Sequence, residues 1–220
     1  MRFDVHPLQR RFRRALPGRC IGVSLNVCTG KSEWLECFEV PQPFTHRGRT
    51  TAMLVFLDTE FTQIQQPDLI SVGLVSELGH EFYAELADFP RDRCSEFVGA
   101  EVLPLFGRVA GALCGKSELA RRLREWFDSL GESVIVIFDY EVDWELLDLA
   151  FRFDGGTAPT SIEAPLCLSG LIVTDPMYQE AFKRSLSEAW PRHHALADAR
   201  AIHAGYRAWR LANAEALHGV

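Results

Sequence analysis

Two short apolar runs constrain this chain most: Met53-Leu54-Val55-Phe56 and Val134-Ile135-Val136-Ile137-Phe138. Neither alternates with polar residues, so each reads as a buried strand, the first spanning residues 53–58. A strand apolar on both sides needs a packing layer over each face. Helices laid over a sheet supply those layers.

The rest of the chain from Met53 onward fits such a sheet. Residues 69–76 and 81–86 read as two further strands, joined through Glu77-Leu78-Gly79-His80 with Gly79 suited to positive φ. Residues 88–116 look mostly irregular, with Pro90, Pro104, Gly107, Gly111 and Gly115. Ser117 is placed to cap a helix over 118–130, whose apolar stripe is Leu119, Leu123, Trp126, Phe127 and Leu130, and Gly131 ends it. A helix over 143–151 follows strand 134–138, and residues 154–170 read as loop. Asp175-Pro176 opens another helix, running to about residue 189. Trp190-Pro191 separates it from a last helix over about residues 194–216. No internal repeat is present. The order predicts an α/β domain, a hairpin-led mixed sheet flanked by helices, over residues 53–220.

Residues 1–52 show no sustained period of 2 or 3.6, and Pro41, Pro43 and Gly48 punctuate their end. They read as a non-core basic extension, either a real arm or residues upstream of the natural start at Met53.

Five side chains carry the chemistry. Asp58 and Glu60 lie in Leu57-Asp58-Thr59-Glu60-Phe61-Thr62, two apart at a strand end, so they share a face. An Asp-x-Glu pair alone says little, because about one is expected by chance at this length. Asp143 opens Asp143-Trp144-Glu145-Leu146-Leu147, at a helix start where an acid is also favoured by the macrodipole. Asp139, four residues earlier, competes with it. His193 precedes Asp198 by five residues, an offset of ~500° that puts them on different faces of one helix. The pair works together only if His193 sits on the loop made by Trp190-Pro191. His194, at i, i+4 from Asp198, is the rival imidazole and would form an ordinary surface pair. Four carboxylates and an imidazole are equipment for binding two divalent ions and positioning a base for phosphodiester hydrolysis.

The order and spacing of these motifs resemble the DEDDh 3′–5′ exonucleases. Asp58 to Phe61 and Leu69-Ile70-Ser71-Val72-Gly73-Leu74-Val75-Ser76 look most like the small bacterial exoribonucleases of the ribonuclease T type. The resemblance covers roughly residues 53–210. It implies a ribonuclease H-like fold with a five-stranded mixed sheet. It also implies two Mg²⁺ or Mn²⁺ ions on Asp58, Glu60, Asp143 and Asp198, with His193 as general base. The substrate it implies is the 3′ end of single-stranded RNA, with DNA as the open alternative. Main-chain groups near Thr59, the ring of Phe61 and neighbouring Thr62 would hold the terminal nucleotide. A homodimer is the assembly frequent among such relatives. Many of them carry Asn where this chain has Asp139, which leaves the role of that neighbour open.

The charge is compatible with such an enzyme. Net charge is −7, but residues 1–52 carry +5 and the remainder −12. An acidic body does not track long duplexes through phosphate contacts. It can grip a few nucleotides through bound cations. No stretch of ~18 uninterrupted apolar residues exists, so no membrane span is expected. The N-terminus makes a poor signal peptide. Six scattered cysteines without a Cys-x-x-Cys pair suggest small buried hydrophobes in a reducing cytoplasm.

Two other readings compete. Ala110-Gly111-Ala112-Leu113-Cys114-Gly115-Lys116-Ser117 resembles a degenerate phosphate-binding loop of a nucleotide triphosphatase or kinase. Such a loop should follow a buried strand, and Pro104, Gly107 and Arg108 occupy that place. A nucleic-acid-binding module without catalysis leaves the complete acid set unexplained.

Overall fold

The structure, a computed structural model, describes residues 52–214. The expectation of a basic extension over residues 1–52 therefore lies, but for Ala52, outside the described residues. Six strands form one mixed sheet: β1 (Met53–Phe61), β2 (Leu69–Ser76), β3 (Glu81–Leu86), β4 (Leu113–Cys114), β5 (Val134–Phe138) and β6 (Ile162–Cys167). Their order across the sheet is β4-β3-β2-β1-β5-β6. The β1–β2 and β2–β3 pairs are antiparallel, and β1–β5, β5–β6 and β3–β4 are parallel. The helices are α1 (Lys116–Ser129), α2 (Glu141–Ala150), the single turn α3 (Gly170–Val173), α4 (Pro176–Ser185) and α5 (Ala195–Ala212).

The α/β architecture follows from β5 and residues 53–57 of β1 having no polar face. Val55 and Leu57 pack with Leu123 and Phe127 of α1 and Leu146 and Leu147 of α2. From the opposite face, Phe56 and Ile137 pack with Tyr178 and Phe182 of α4 and with Ile202 and Tyr206 of α5. Consecutive residues of β1 thus feed two separate cores, as the twofold alternation of a strand requires.

The sheet has six strands where five were expected. β4 is a two-residue strand on the edge, too short to leave a pattern. β6 runs through the segment expected to be loop. It is an edge strand, mostly exposed, and contains Pro165, so it shows neither an apolar run nor alternation. Element boundaries also differ: α2 starts at Glu141 instead of residue 143, and α5 ends at Ala212 instead of about residue 216. β1 continues to Phe61, which puts Asp58 and Glu60 inside the strand. α1 starts at Lys116 with Gly115 as its cap residue, so Ser117 lies within the helix and does not cap it. α4 ends at Ser185, because Leu186 is extended and Ser187 and Trp190 bond each other across a turn. Other expectations hold: Asp175 caps α4 by accepting from the Met177 N–H at 2.8 Å, and Gly79 and Gly131 take positive φ at 87° and 69°.

Gly73 decides where α5 begins. It pairs with Asp58 across the β1–β2 ladder. A Cβ there would lie 2.3 Å from the backbone carbon of Ala195 and 2.4 Å from its oxygen and from the Leu196 nitrogen. The start of α5 therefore rests directly on the sheet at the residue beside Asp58. Gly73→Ala is expected to push that helix end away, since backbone atoms cannot rotate aside. Overpacking of this kind costs about 1–3 kcal/mol, or a fall in melting temperature of several degrees (roughly 2–4 °C per kcal/mol) for a domain of this size. Thermal melts of the variant check this, and an unchanged midpoint would show that α5 is free to lift.

Candidate metal centre

Asp58 and Glu60 project from the same side of β1, at the end where it passes the start of α5. Thr59 faces the other way and is buried. There its hydroxyl donates to Asp143 Oδ1 at 2.6 Å, and its N–H donates to the same oxygen at 3.2 Å. Asp143 itself is buried in the first turn of α2. Both Thr59 donors are thus committed to holding Asp143, whose second oxygen remains for the centre. Asp139, exposed on the loop between β5 and α2, joins the same group. One carboxylate oxygen from each of Asp58, Asp139 and Asp143 lies within 4.8 Å of the others. Asp139 and Asp143 are therefore neighbours in one cluster.

His193 lies before α5, on the loop that the Trp190-Pro191 pair anticipates. Its φ is 68°, the left-handed region, and no other non-glycine among the described residues takes it. That backbone turn brings the His193 N–H to Asp198 Oδ2 at 2.8 Å. It also resolves the ~500° mismatch, because the chain has left the helix before reaching His193. Glu60, His193 and Asp198 each present one ligand atom within 4.8 Å of the other two. His194 makes no surface pair with Asp198. It is buried, its ring stacked on Tyr83 at 4.4 Å and edge-on to Trp190 at 5.0 Å, and neither ring nitrogen has a partner.

The acids strain one another electrostatically. Asp58 Oδ2 and Asp198 Oδ1 are buried with no hydrogen-bond partner. Burial, and then the neighbouring Asp198, Asp143, Glu60 and Asp139, push the Asp58 carboxyl well above its ordinary 3.8. Glu60 is pushed up to about 8 by burial and by Asp198 and Asp143, against the pull of Arg192. Asp143 reaches about 7 through burial, opposed by the Thr59 hydroxyl. Asp198 reaches about 6 through burial, opposed by the His193 N–H and Arg192. Without cations the centre holds protons that the unfolded chain would release.

That sets a pH dependence. An acid whose pKa rises on folding binds more protons folded than unfolded, so stability falls as pH rises from its unfolded to its folded value. His193, His194 and His203 are pushed below their ordinary 6.5 by burial and oppose this trend below that pH. Above it, Glu60 at about 8 and Asp143 at about 7 act without that opposition. The cation-free protein should therefore melt several degrees lower at about pH 8.5 than at about pH 6.5. Saturating Mg²⁺ should narrow the gap. Scanning fluorimetry in chelator and in Mg²⁺ measures both, and a higher midpoint at pH 8.5 in chelator would contradict the charge arrangement.

The residues expected to hold a nucleotide separate. Phe61 is half-buried and stacks on Tyr140 at 6.3 Å between ring centres, beside the Asp139 loop. Thr62 is fully buried and its hydroxyl accepts from the Asp68 N–H at 3.1 Å, so it closes the 62–68 loop and has no surface to offer a ligand. Three residues escape the sequence reading. Phe97 is 52% exposed and packs its ring edge-on to His193 at 4.9 Å, from a segment that reads as irregular. Arg192 draws down Glu60 and Asp198 from beside the histidines, and its adjacency to His193 was the available signal. Tyr178, on α4, brings a buried hydroxyl without a partner under the influence of Asp139 and Asp58.

The 110–117 segment lacks a phosphate cradle. Its strand, β4, is a two-residue edge strand. The Lys116 N–H meets the Asp88 carboxylate at 3.3 Å, an acid where a phosphate would sit, and the Lys116 ammonium lies over the Phe153 ring. Cys94, Cys114 and Cys167 are free thiols, of which Cys114 is buried, Cys94 half-buried and Cys167 exposed. No described helix is long and apolar enough to cross a membrane.

No family model matches the sequence, and no curated protein matches it.

Proposed function

We propose that the chain is a metal-dependent 3′–5′ exoribonuclease of the DEDDh type on a ribonuclease H-like fold. The observation that carries this reading is the convergence of Asp58, Glu60, Asp143, His193 and Asp198 from three separate parts of the chain. The motif order that resembles those exonucleases supports it. So does the mixed sheet, in which the antiparallel β1–β2–β3 meander and parallel β5 and β6 account for five strands.

The donor set fits two divalent cations. Two groups of three donors lie side by side, and two buried carboxylate oxygens, one on Asp58 and one on Asp198, have no other partner. Asp58, Asp139 and Asp143 would hold one ion, and Glu60 and Asp198 the other. Bound Mg²⁺ or Mn²⁺ supplies charge that eases deprotonation of water and stabilises a leaving 3′ oxygen. His193 is neutral near pH 7, because burial and then Arg192 hold its pKa below 6.5. It accepts the proton of the attacking water. Asp198 fixes the backbone of that histidine, and Thr59 fixes Asp143. Phe61, with Tyr140 behind it, offers a ring for a terminal base. Free thiols support a reducing compartment, the cytoplasm.

The test uses 5′-labelled RNA and DNA oligomers of the same sequence with the purified chain. Stepwise shortening from the 3′ end in Mg²⁺ or Mn²⁺, abolished by chelator, is expected, with RNA degraded faster. Internal cleavage of a circular RNA, or full activity in excess chelator, overturns the reading.

A further inference from the structure

The two donor groups differ in chemistry. Asp58, Asp139 and Asp143 offer oxygen alone, the preference of Mg²⁺, Ca²⁺ and Mn²⁺. Glu60, Asp198 and His193 offer two carboxylates and an imidazole, and imidazole favours Zn²⁺, Co²⁺ and similar ions. We propose that Glu60, His193 and Asp198 form a selective inhibitory site for a transition-metal ion of the Zn²⁺ or Co²⁺ kind, with the His193 imidazole as a ligand.

Three features build that site. Asp198 is more than nine-tenths buried, and its Oδ2 is occupied by the His193 N–H at 2.8 Å. Its Oδ1 is buried and has no partner, so an oxygen is left free for an ion. That hydrogen bond holds the His193 backbone at its positive φ, and the Phe97 ring covers the imidazole edge-on. The three donor atoms lie within 4.8 Å of one another. Ligands about 2.1 Å from a tetrahedral zinc stand roughly 3.4 Å apart, so side-chain rotation of about an ångström closes the set.

The consequence rests on the exonuclease reading. A neutral imidazole has one nitrogen with a free lone pair. Once that pair is bound to a metal it cannot accept a proton from water. An ion preferring oxygen leaves His193 free and supports turnover, whereas Zn²⁺ ties up the base. Micromolar Zn²⁺ added to the Mg²⁺-loaded protein therefore stops turnover by taking Glu60 and Asp198 from the second catalytic ion and the imidazole from the base.

The experiment titrates the full, metal-stripped chain with Co²⁺ and follows its visible absorption, then displaces Co²⁺ with Zn²⁺. His193→Ala is expected to shift the Co²⁺ bands and weaken Co²⁺ and Zn²⁺ by at least about tenfold. Mg²⁺ affinity, read from the Mg²⁺ dependence of the melting temperature, should change less than about twofold. His193→Gln, which keeps side-chain bulk, repeats the measurement should the alanine variant fail to fold. Identical Co²⁺ bands and affinities in wild type and variant overturn the site. Mg²⁺-dependent RNA shortening is assayed in the same wild-type samples. Shortening without a His193-dependent Co²⁺ signature rejects this inference alone. The signature without shortening in any metal upholds the site and rejects the exonuclease.

Discussion

Asp58→Asn is expected to abolish turnover while raising the melting temperature of the cation-free protein. Asp58 is the carboxylate most surrounded by others, with Asp198, Asp143, Glu60 and Asp139 all raising its pKa after burial. An amide of the same shape keeps the packing and removes one buried charge from that repulsion. It also removes a ligand for a cation whose charge is worth several kcal/mol to the reaction, so the rate should fall on the order of 10³–10⁴-fold. The stability gain should be largest above about pH 8, where the wild-type acids are forced to ionise. In saturating Mg²⁺ the order of the two midpoints should narrow or reverse, because wild type binds the ion better. Melting curves with and without Mg²⁺, beside the RNA assay, measure both halves. A variant that loses stability in chelator would mean that Asp58 is a structural acid with a partner the structure does not give it.

His193→Ala and His194→Ala should fail in different ways. His193→Ala should lower kcat by on the order of 10²–10⁴-fold, the usual contribution of a positioned base, with melting temperature nearly kept. Its ring is only half-buried and touches Phe97 alone among the aromatic side chains. The acid limb of the wild-type pH–rate profile should lie below 6.5, since burial depresses the imidazole, and should vanish in the variant. His194→Ala deletes a buried ring stacked between Tyr83 and Trp190. That should cost about 3 kcal/mol of stability and leave kcat of the folded fraction within a few-fold. The pattern reversed, with His194 controlling kcat, would move the base by one residue and break its link to Asp198.

The site was legible because its elements are marked by local rules. The apolar run before Asp58 and the strand before Asp143 located the sheet, and Trp190-Pro191 marked the loop that carries His193, although α4 already ends at Ser185. The same rules were silent on Phe97, which lies in a segment with no period, and on β6, whose exposed residues and Pro165 hide an edge strand. They misread His194 as a surface residue, because i, i+4 spacing says nothing about the Tyr83 and Trp190 rings that cover it.

The sequence by itself determined the identity of the acids, the alternation that puts Asp58 and Glu60 on one face, and the layered α/β class, since each follows from residues near one another in the chain. Only the tertiary structure decided that Asp139 and Asp143 lie in one group, that Thr59 bonds Asp143, and that Gly73 lets α5 settle on the sheet. Those facts depend on separations of 4.8 Å or less between residues as many as 122 positions apart, from Gly73 to Ala195. Chain periodicity fixes which face a side chain takes, but the distance between two faces is set by packing, and packing is a property of the whole fold.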